Sequence, residues 1–202
     1  DIRVLDYLMC SIEIMKGELE VVYDGEQLPV PDAIIPRIGA SRTFFGTAMV
    51  RHFEIMGAFS VAGNLAIARS RDKLRSLQVL SKYGVDMPKT VFASNKANAK
   101  DVIKLSGGTP LVLKILEGTQ GVGVVLAETQ KAAQSVLDAF YGMDVNLLVQ
   151  EFIKEAGGAD IRAFVVNGEV VGAMKRQGAE GDFRSNLHQG GSATSYKLNR
   201  KE

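Results

Sequence analysis

The stretch Leu111-Val-Leu-Lys-Ile-Leu-Glu-Gly-Thr-Gln-Gly-Val-Gly-Val-Val-Leu126 sets a glycine-rich loop, with glycines at 118, 121 and 123, between two apolar runs of β type. Glycines let a backbone approach an anion closely and turn successive N–H groups toward it. Lys114, inside the first run, needs an anionic partner or a route to solvent if its strand is mostly buried. A Walker loop would require Gly-Lys-Ser/Thr opening a helix, and a dinucleotide fingerprint also runs from strand through glycines into a helix. Neither follows here, because Val124-Val-Leu-Ala127 is a further short apolar run. The expected unit is an antiparallel pair joined by a flap. Pattern alone leaves two readings open, a phosphate clamp and an ordinary hairpin whose lysine snorkels from an edge.

The chain has 202 residues, 46% hydrophobic and 23% charged, enough for one large or two small cores, and two subdomains are expected. Lys+Arg of 24 against Asp+Glu of 23 gives a net +1, so no global field favours nucleic acid or a membrane, although local patches remain open. Cys10 is the only cysteine and cannot form an internal disulfide; with no long apolar span or signal-like start, a reducing cytoplasm is the expected location. The abrupt ends at Asp1-Ile-Arg-Val-Leu5 and Asn199-Arg-Lys-Glu202 are read as those of a fragment.

Outward from the loop, Ile12–Met15 and Leu19–Tyr23 predict a hairpin across Lys16-Gly17, followed by Asp24-Gly25. Ala33–Ile35 predicts a short buried strand, and Phe45, Met49, Phe53 and Met56 a helix ended by Gly57. With a strand at Phe59–Ala62 this makes a parallel βαβ unit, whose strand-end loop Pro36-Arg-Ile-Gly39 lies where ligands usually sit. A helix is expected from Ala66 to Tyr83 on Leu74, Leu77 and Leu80, with Gly84 closing it and Lys73 near its start. A lysine there opposes the helix dipole, which a phosphate would offset; a solvated lysine is the other reading. Val91–Ala93 predicts a strand, Ala97–Leu105 a helix, and residues 129–140 a helix with Ala132, Val136 and Phe140 on one face. Leu147–Val149 leads into Gln150-Glu-Phe-Ile153, a hinge-like change of character, and Asn167-Gly168 joins Asp160–Val166 to Glu169–Met174 as a type I′ hairpin.

The segment from Lys175 to Gly191 gathers Arg176, Asp182, Arg184, Ser185, Asn186 and His188 before Gly190-Gly191. Arginines grip phosphate or carboxylate bidentately; a mobile polar surface loop is the plainer reading. His188 is a candidate catalytic group, while His52 is placed on the polar side of its helix with no role. No His/Cys ligand cluster and no Gly-x-Ser-x-Gly occurs, which argues against hydrolytic triads.

Together, Arg37-Ile-Gly39, Ala66-Ile-Ala-Arg-Ser-Arg-Asp-Lys-Leu-Arg75, Leu113–Thr129, Val149–Glu155, Asp160-Ile-Arg162 and Gly181–Gly191 resemble the RimK family of ATP-grasp ligases. Members of that family add L-glutamate to the C-terminus of a small-subunit ribosomal protein, the sixth. The resemblance implies an α/β (α+β) ATP-grasp fold, truncated: a partial pre-ATP-grasp domain over 1–65, an N-terminal subdomain with its lid over 66–149, and the start of a C-terminal subdomain over 150–202. It implies ATP held by Lys73, Lys114 and the loop glycines 118, 121 and 123, with Glu151 and Phe152 at the adenine hinge, Asp160 near the ribose, and Arg184, Ser185 and Asn186 in a later ATP-contacting segment. Arg176 and Asn186 are the implied catalytic positions, Arg176 toward the transferred phosphoryl group.

The resemblance also implies Mg2+ or Mn2+ on acidic residues and a Glu-x-Asn segment downstream of Gly191, which this chain does not contain; Asp144-Val-Asn146 precedes the hinge strand and is a poor substitute. The fragment alone is therefore expected to bind Mg-ATP weakly and not to turn over. The implied partners are ATP, L-glutamate and a ribosomal acceptor, with no direct nucleic acid and no membrane; a homo-oligomer is compatible with it. A noncatalytic nucleotide-binding regulatory module, or a related ligase acting on a carrier protein or small cofactor, is the alternative.

Overall fold

The computed structural model describes residues 1–94, 96–116 and 123–199. The chain divides into two compact units, Asp1–Val85 and Asp86–Glu202.

In the first unit, β1 (Cys10–Met15) and β2 (Glu18–Tyr23) form the expected antiparallel hairpin, and β3 (Glu26–Gln27) adds to β2 through Asp24-Gly25, where both residues have positive φ. β4 (Ala33–Ile34) and β5 (Phe59–Ser60) pair in parallel across α1 (Thr43–Ile55), which gives the βαβ unit. Cys10, Val21, Leu28 and Met49 make the buried centre of this unit, with Phe45 and Phe53 packed on it. Two expectations fail here. Ala33 and Ile35 are exposed, the latter 75%, and Ile34 is only half-buried, in a sheet of two strands. His52 is buried rather than on a polar face, and its Nε2–H donates to the Glu20 carbonyl at 3.0 Å, tying α1 to the hairpin.

The single helix expected from Ala66 to Tyr83 is two, α2 (Asn64–Arg71) and α3 (Lys73–Lys82), broken at Asp72. Asp72 is extended, with a ψ of 109° that lies outside the helical region, and its carboxylate accepts from the Arg75 N–H at 2.9 Å, the geometry of an N-cap. An acid in mid-pattern can compete with the helix in this way. At the head of α2, Glu54 reaches across from α1 and accepts from both the backbone and side-chain amides of Asn64.

In the second unit, β6 (Thr90–Phe92), α4 (Ala99–Leu105), β7 (Leu111–Ile115), β8 (Val124–Ala127), α5 (Gln130–Gly142) and β9 (Leu147–Glu151) form an antiparallel sheet in the order β6-β9-β7-β8, with both helices on one face. Alternation sends Leu111, Leu113, Leu147 and Val149 to that face, against Val102, Ile103, Ala133 and Leu137. The buried stripe of α5 runs through Ala133 and Leu137; Ala132, expected in it, is exposed. β10 (Ala159–Val166), β11 (Glu169–Gln177) and β12 (Ser192–Ser195) form a second antiparallel sheet. Its Asn167-Gly168 turn has both residues at positive φ, as a type I′ turn demands.

Leu137 is fully buried between α4 and the sheet. Leu137→Ala is expected to lower unfolding free energy by about 2–5 kcal/mol, read as a reduced urea midpoint with an unchanged denaturant slope.

Candidate functional site

Lys114 projects from the face of the four-stranded sheet opposite α4 and α5. That face is also covered: Val112, Leu148 and Gln150 are all buried on it. A charged amine there requires hydrogen-bond acceptors. Its Nζ donates to Gln150 Oε1 at 2.5 Å, Gln150 Nε2 donates to Thr90 Oγ1 at 2.8 Å, and the Thr90 hydroxyl donates to the Pro88 carbonyl at 2.9 Å. The chain of donors crosses β7, β9 and β6 in one direction. Lysine has only donors, so the orientation of the Gln150 amide is set by chemistry. Sequence reasoning assigned Gln150 to the hinge and missed this role; the available signal was an amide inside the apolar run Leu147-Leu-Val149.

β7 and β8 pair antiparallel, Leu111 opposite Ala127 and Lys114 opposite Val124, so the glycine-rich loop joins a hairpin as expected. Gly123 has φ of +74°, and a Cβ there would lie 2.6 Å from Ile115 Cδ1. Gly118 and Gly121 lie outside the described residues. Lys73 is the first residue of α3, in the first unit. Partial burial holds its amine below the usual lysine range, and the charge of Asp72 opposes that shift.

Asp160 and Arg176 face each other on β10 and β11 and form a bidentate pair, Nε to Oδ1 at 2.7 Å and Nη2 to Oδ2. Ser185 Oγ adds a bond to Oδ2 at 2.7 Å. The pairing depends on a bulge between Phe164 and Val165; an uninterrupted two-residue turn would set Asp160 opposite Lys175. Ser185 arrives because glycines allow the chain after β11 to lie against the sheet. A Cβ on Gly178 would meet the Arg184 carbonyl at 2.4 Å, and one on Gly191 the Gln177 carbonyl at 2.8 Å. Arg184 is drawn to Asp182 by side-chain and backbone bonds of 2.9–3.2 Å. The tail read as a possible mobile loop is thus partly strand: Lys175, Arg176 and Gln177 close β11, and β12 pairs with them. Asn186 precedes a turn of 3-10 helix at Leu187–Gln189.

Glu151 ends β9, and its N–H donates to the Lys89 carbonyl at 3.0 Å. Phe152 meets Phe183 edge-on, ring centroids 6.3 Å apart. A cleft of about 530 Å³ opens beside them, floored by Gly157, Gly178 and Asp182. Neither Lys114 nor Asp160 lines this cleft. Its lining includes the two rings and the carboxylates of Glu180 and Asp182 but no lysine or arginine, so the cleft by itself does not select an anionic ligand.

The architecture is that of the ATP-grasp ligases. The D-alanyl-alanine synthetase A of Vibrio cholerae superposes with a TM-score of 0.59 over 95% of this chain and 61% of its own, at 17% identity. The ATP-grasp ligase PsnB, in complex with a minimal precursor, gives 0.63 over 95% and 65%, at 16% identity. The model of the RimK-like ATP-grasp domain matches residues 70–202, and that of the RimK PreATP-grasp domain residues 1–67. The chain belongs to the RimK family of ATP-grasp enzymes. Proteins named probable alpha-L-glutamate ligase from Psychromonas ingrahamii and Saccharophagus degradans are each 61% identical over 201 residues, all of this chain and 67% of theirs. The chain thus spans about two thirds of the length of these relatives.

The family implies a magnesium ion beside the nucleotide. Among the described residues no three Asp, Glu, His or Cys side chains converge as metal ligands would, so the residues present do not fit such an ion by themselves. Also among the described residues, no helix is long and apolar enough to cross a membrane.

The bonds from Arg176, and after them that from Ser185, hold the Asp160 carboxyl below the usual carboxylate range against an opposing effect of burial. A depressed folded-state value means that the charged form favours the folded state. The stabilisation is complete above the unfolded value and is lost as pH falls through the folded one. Asp160→Asn is expected to flatten the fall in stability on acidification, measured as denaturation midpoints in a pH series; superimposable wild-type and variant profiles would contradict the pairing.

Proposed function

We propose that this chain supplies the nucleotide-clamping part of an ATP-dependent carboxylate–amine ligase that adds L-glutamate to the C-terminus of a protein, with the sixth small-subunit ribosomal protein as the acceptor and the cytoplasm as its location. The observation that carries the reading is the lysine on a covered sheet face, Lys114, directly before a glycine-rich hairpin loop, in a chain 61% identical to proteins named glutamate ligases. In this reading the acceptor carboxylate attacks the γ-phosphorus of ATP and the bond to ADP breaks. The glutamate amine then attacks the acyl carbon of the resulting acyl phosphate, phosphate leaves, and the amine loses a proton as the amide forms. No protein nucleophile is needed, so the protein's part is positioning and charge stabilisation.

Lys73, Lys114 and the loop glycines 118, 121 and 123 are assigned to the phosphates, and Glu151 and Phe152 to the adenine. Asp160 is assigned to the ribose side, and Arg184, Ser185 and Asn186 to the later contacting segment. Arg176 and Asn186 are assigned to the transferring group. The Asp160–Arg176 pair supports a coupled role, because a carboxylate that accepts two guanidinium bonds fixes the plane of the arginine and leaves its remaining N–H edge directional. ATP would enter as its Mg2+ or Mn2+ complex, with the carboxylates for the ion coming from outside the described residues. Domain limits of 1–65, 66–149 and 150–202 follow from the same assignment.

Lys114→Ala in the full-length enzyme is expected to weaken ATP binding on the order of tenfold or more, since a hydrogen bond from a charged group is worth about 1.5–3 kcal/mol, and to lower glutamate-dependent ADP release with it. His188→Ala should leave ATP affinity intact. Calorimetric titration with nucleotide and product analysis check both; AMP in place of ADP would overturn the acyl-phosphate route, and undiminished ATP affinity in the lysine variant would overturn the clamp.

A further inference from the structure

The near-neutral total conceals a strong separation of charge inside the first unit. Residues 1–32 hold eight acidic and two basic side chains, a net of −6, whereas residues 33–85 hold eight basic and two acidic, a net of +6. The two acids of the basic segment are both engaged with helix ends, Glu54 on Asn64 and Asp72 on the Arg75 N–H. Six of the eight basic residues are arginines.

Five of these arginines gather around one joint. The Arg71 guanidinium donates to the Ile38 carbonyl at 2.6 Å, which draws the loop carrying Arg37 onto the end of α2. Gly46 leaves room for that loop, since a Cβ there would lie 2.3 Å from the Ile38 side chain. The Arg42 N–H donates to the Gly39 carbonyl at 3.1 Å, closing the same loop into α1. The Ser76 hydroxyl donates to the Arg69 carbonyl at 2.7 Å and holds the start of α3, with Arg75, against the end of α2. All five side chains are exposed, and none makes a salt bridge among the described residues. The loop also follows the C-terminal end of β4 in a parallel pair, the position from which α/β units usually bind ligands.

We propose that this arginine cluster is a docking surface for an acidic peptide tail, one that delivers the carboxylate to be extended. The inference rests on the ligase reading above and names how the acceptor would be held. Guanidinium forks recognise carboxylates bidentately, and arginines in no salt bridge among the described residues have no ion pair to break on meeting a ligand. A short acidic tail fits better than a nucleic acid, because the adjoining acidic segment repels a long polyanion that would have to extend beyond the cluster. Each glutamate added would strengthen the attraction, so the product would remain a good ligand for the next round.

The test is fluorescence anisotropy with the full-length protein, without nucleotide, and a labelled peptide ending in a run of glutamates. Its isostere ending in glutamines and a single-stranded RNA of equal charge serve as comparisons. The acidic peptide is expected to bind, with added salt weakening it, and the glutamine peptide to bind at least about tenfold less tightly. Arg42→Glu/Arg69→Glu/Arg75→Glu should cut affinity for the acidic peptide by at least about tenfold, and the milder Arg→Gln triple variant by a smaller factor in the same direction. Both should retain ATP affinity, which also verifies their folding. Equal binding of the glutamine peptide, unchanged binding by both variants, or tighter binding of the RNA would overturn the docking surface. A protein that binds the acidic peptide but consumes ATP with no carboxylate acceptor would instead refute the ligase reading and leave the surface standing.

Discussion

A lysine on a covered face of a β-sheet is the constraint around which the second unit is organised. The sheet is buried on one side by α4 and α5 and on the other at Val112, Leu148 and Gln150, so Lys114 stands where an unpartnered charge would cost several kcal/mol. The chain from Nζ through Gln150 and Thr90 to the Pro88 carbonyl meets part of that requirement with neutral acceptors. The Gln150 amide oxygen fixes where the ammonium group sits and keeps the side chain from turning into the core.

The other sheet works by the opposite device. Asp160 and Arg176 neutralise each other, and Ser185 completes the carboxylate's bonding from a loop that glycines bring close. Gly178 and Gly191 matter because backbone carbonyls occupy the space a Cβ would take, so side chains at these positions would push the 182–186 segment off the sheet. A fixed polar cluster on one sheet and an oriented cation on the other are complementary demands. One pairs a carboxylate with a guanidinium, and the other orients an ammonium group on an amide oxygen.

Most of the fold was legible because each element carried its own local signal. Asn167-Gly168 specified a hairpin, Asp24-Gly25 a second tight turn, and Val124–Ala127 the strand that pairs antiparallel with β7. The failures occurred where a local signal was outweighed by something distant. Asp72 broke the helix expected from Ala66 to Tyr83, whose named apolar positions all follow it, because its carboxylate could serve the Arg75 N–H instead. His52 looked solvated from its neighbours, yet its ring N–H donates a hydrogen bond to the Glu20 carbonyl on the hairpin. At the candidate site the residue types were readable from the sequence, but their pairings were not.

The pairing of Asp160 shows why. With Asn-Gly fixing the turn, the ordinary register would have placed Lys175 across from Asp160, and a one-residue slip reverses which face every subsequent side chain occupies. The bulge near Phe164 makes that slip, so Arg176 rather than Lys175 meets the carboxylate. The substitution is not neutral in chemistry. A lysine would offer a point charge free to rotate, whereas the arginine fork locks two bonds in one plane and orients the guanidinium edge that remains. The bulge leaves Val171 unpaired beside Gly172, and a glycine inside a strand pattern marks such a place without saying which register results. The identity of the cation at the centre of this cluster is thus set by backbone geometry five residues away, and a sequence reading can propose Arg176 but cannot derive its partner.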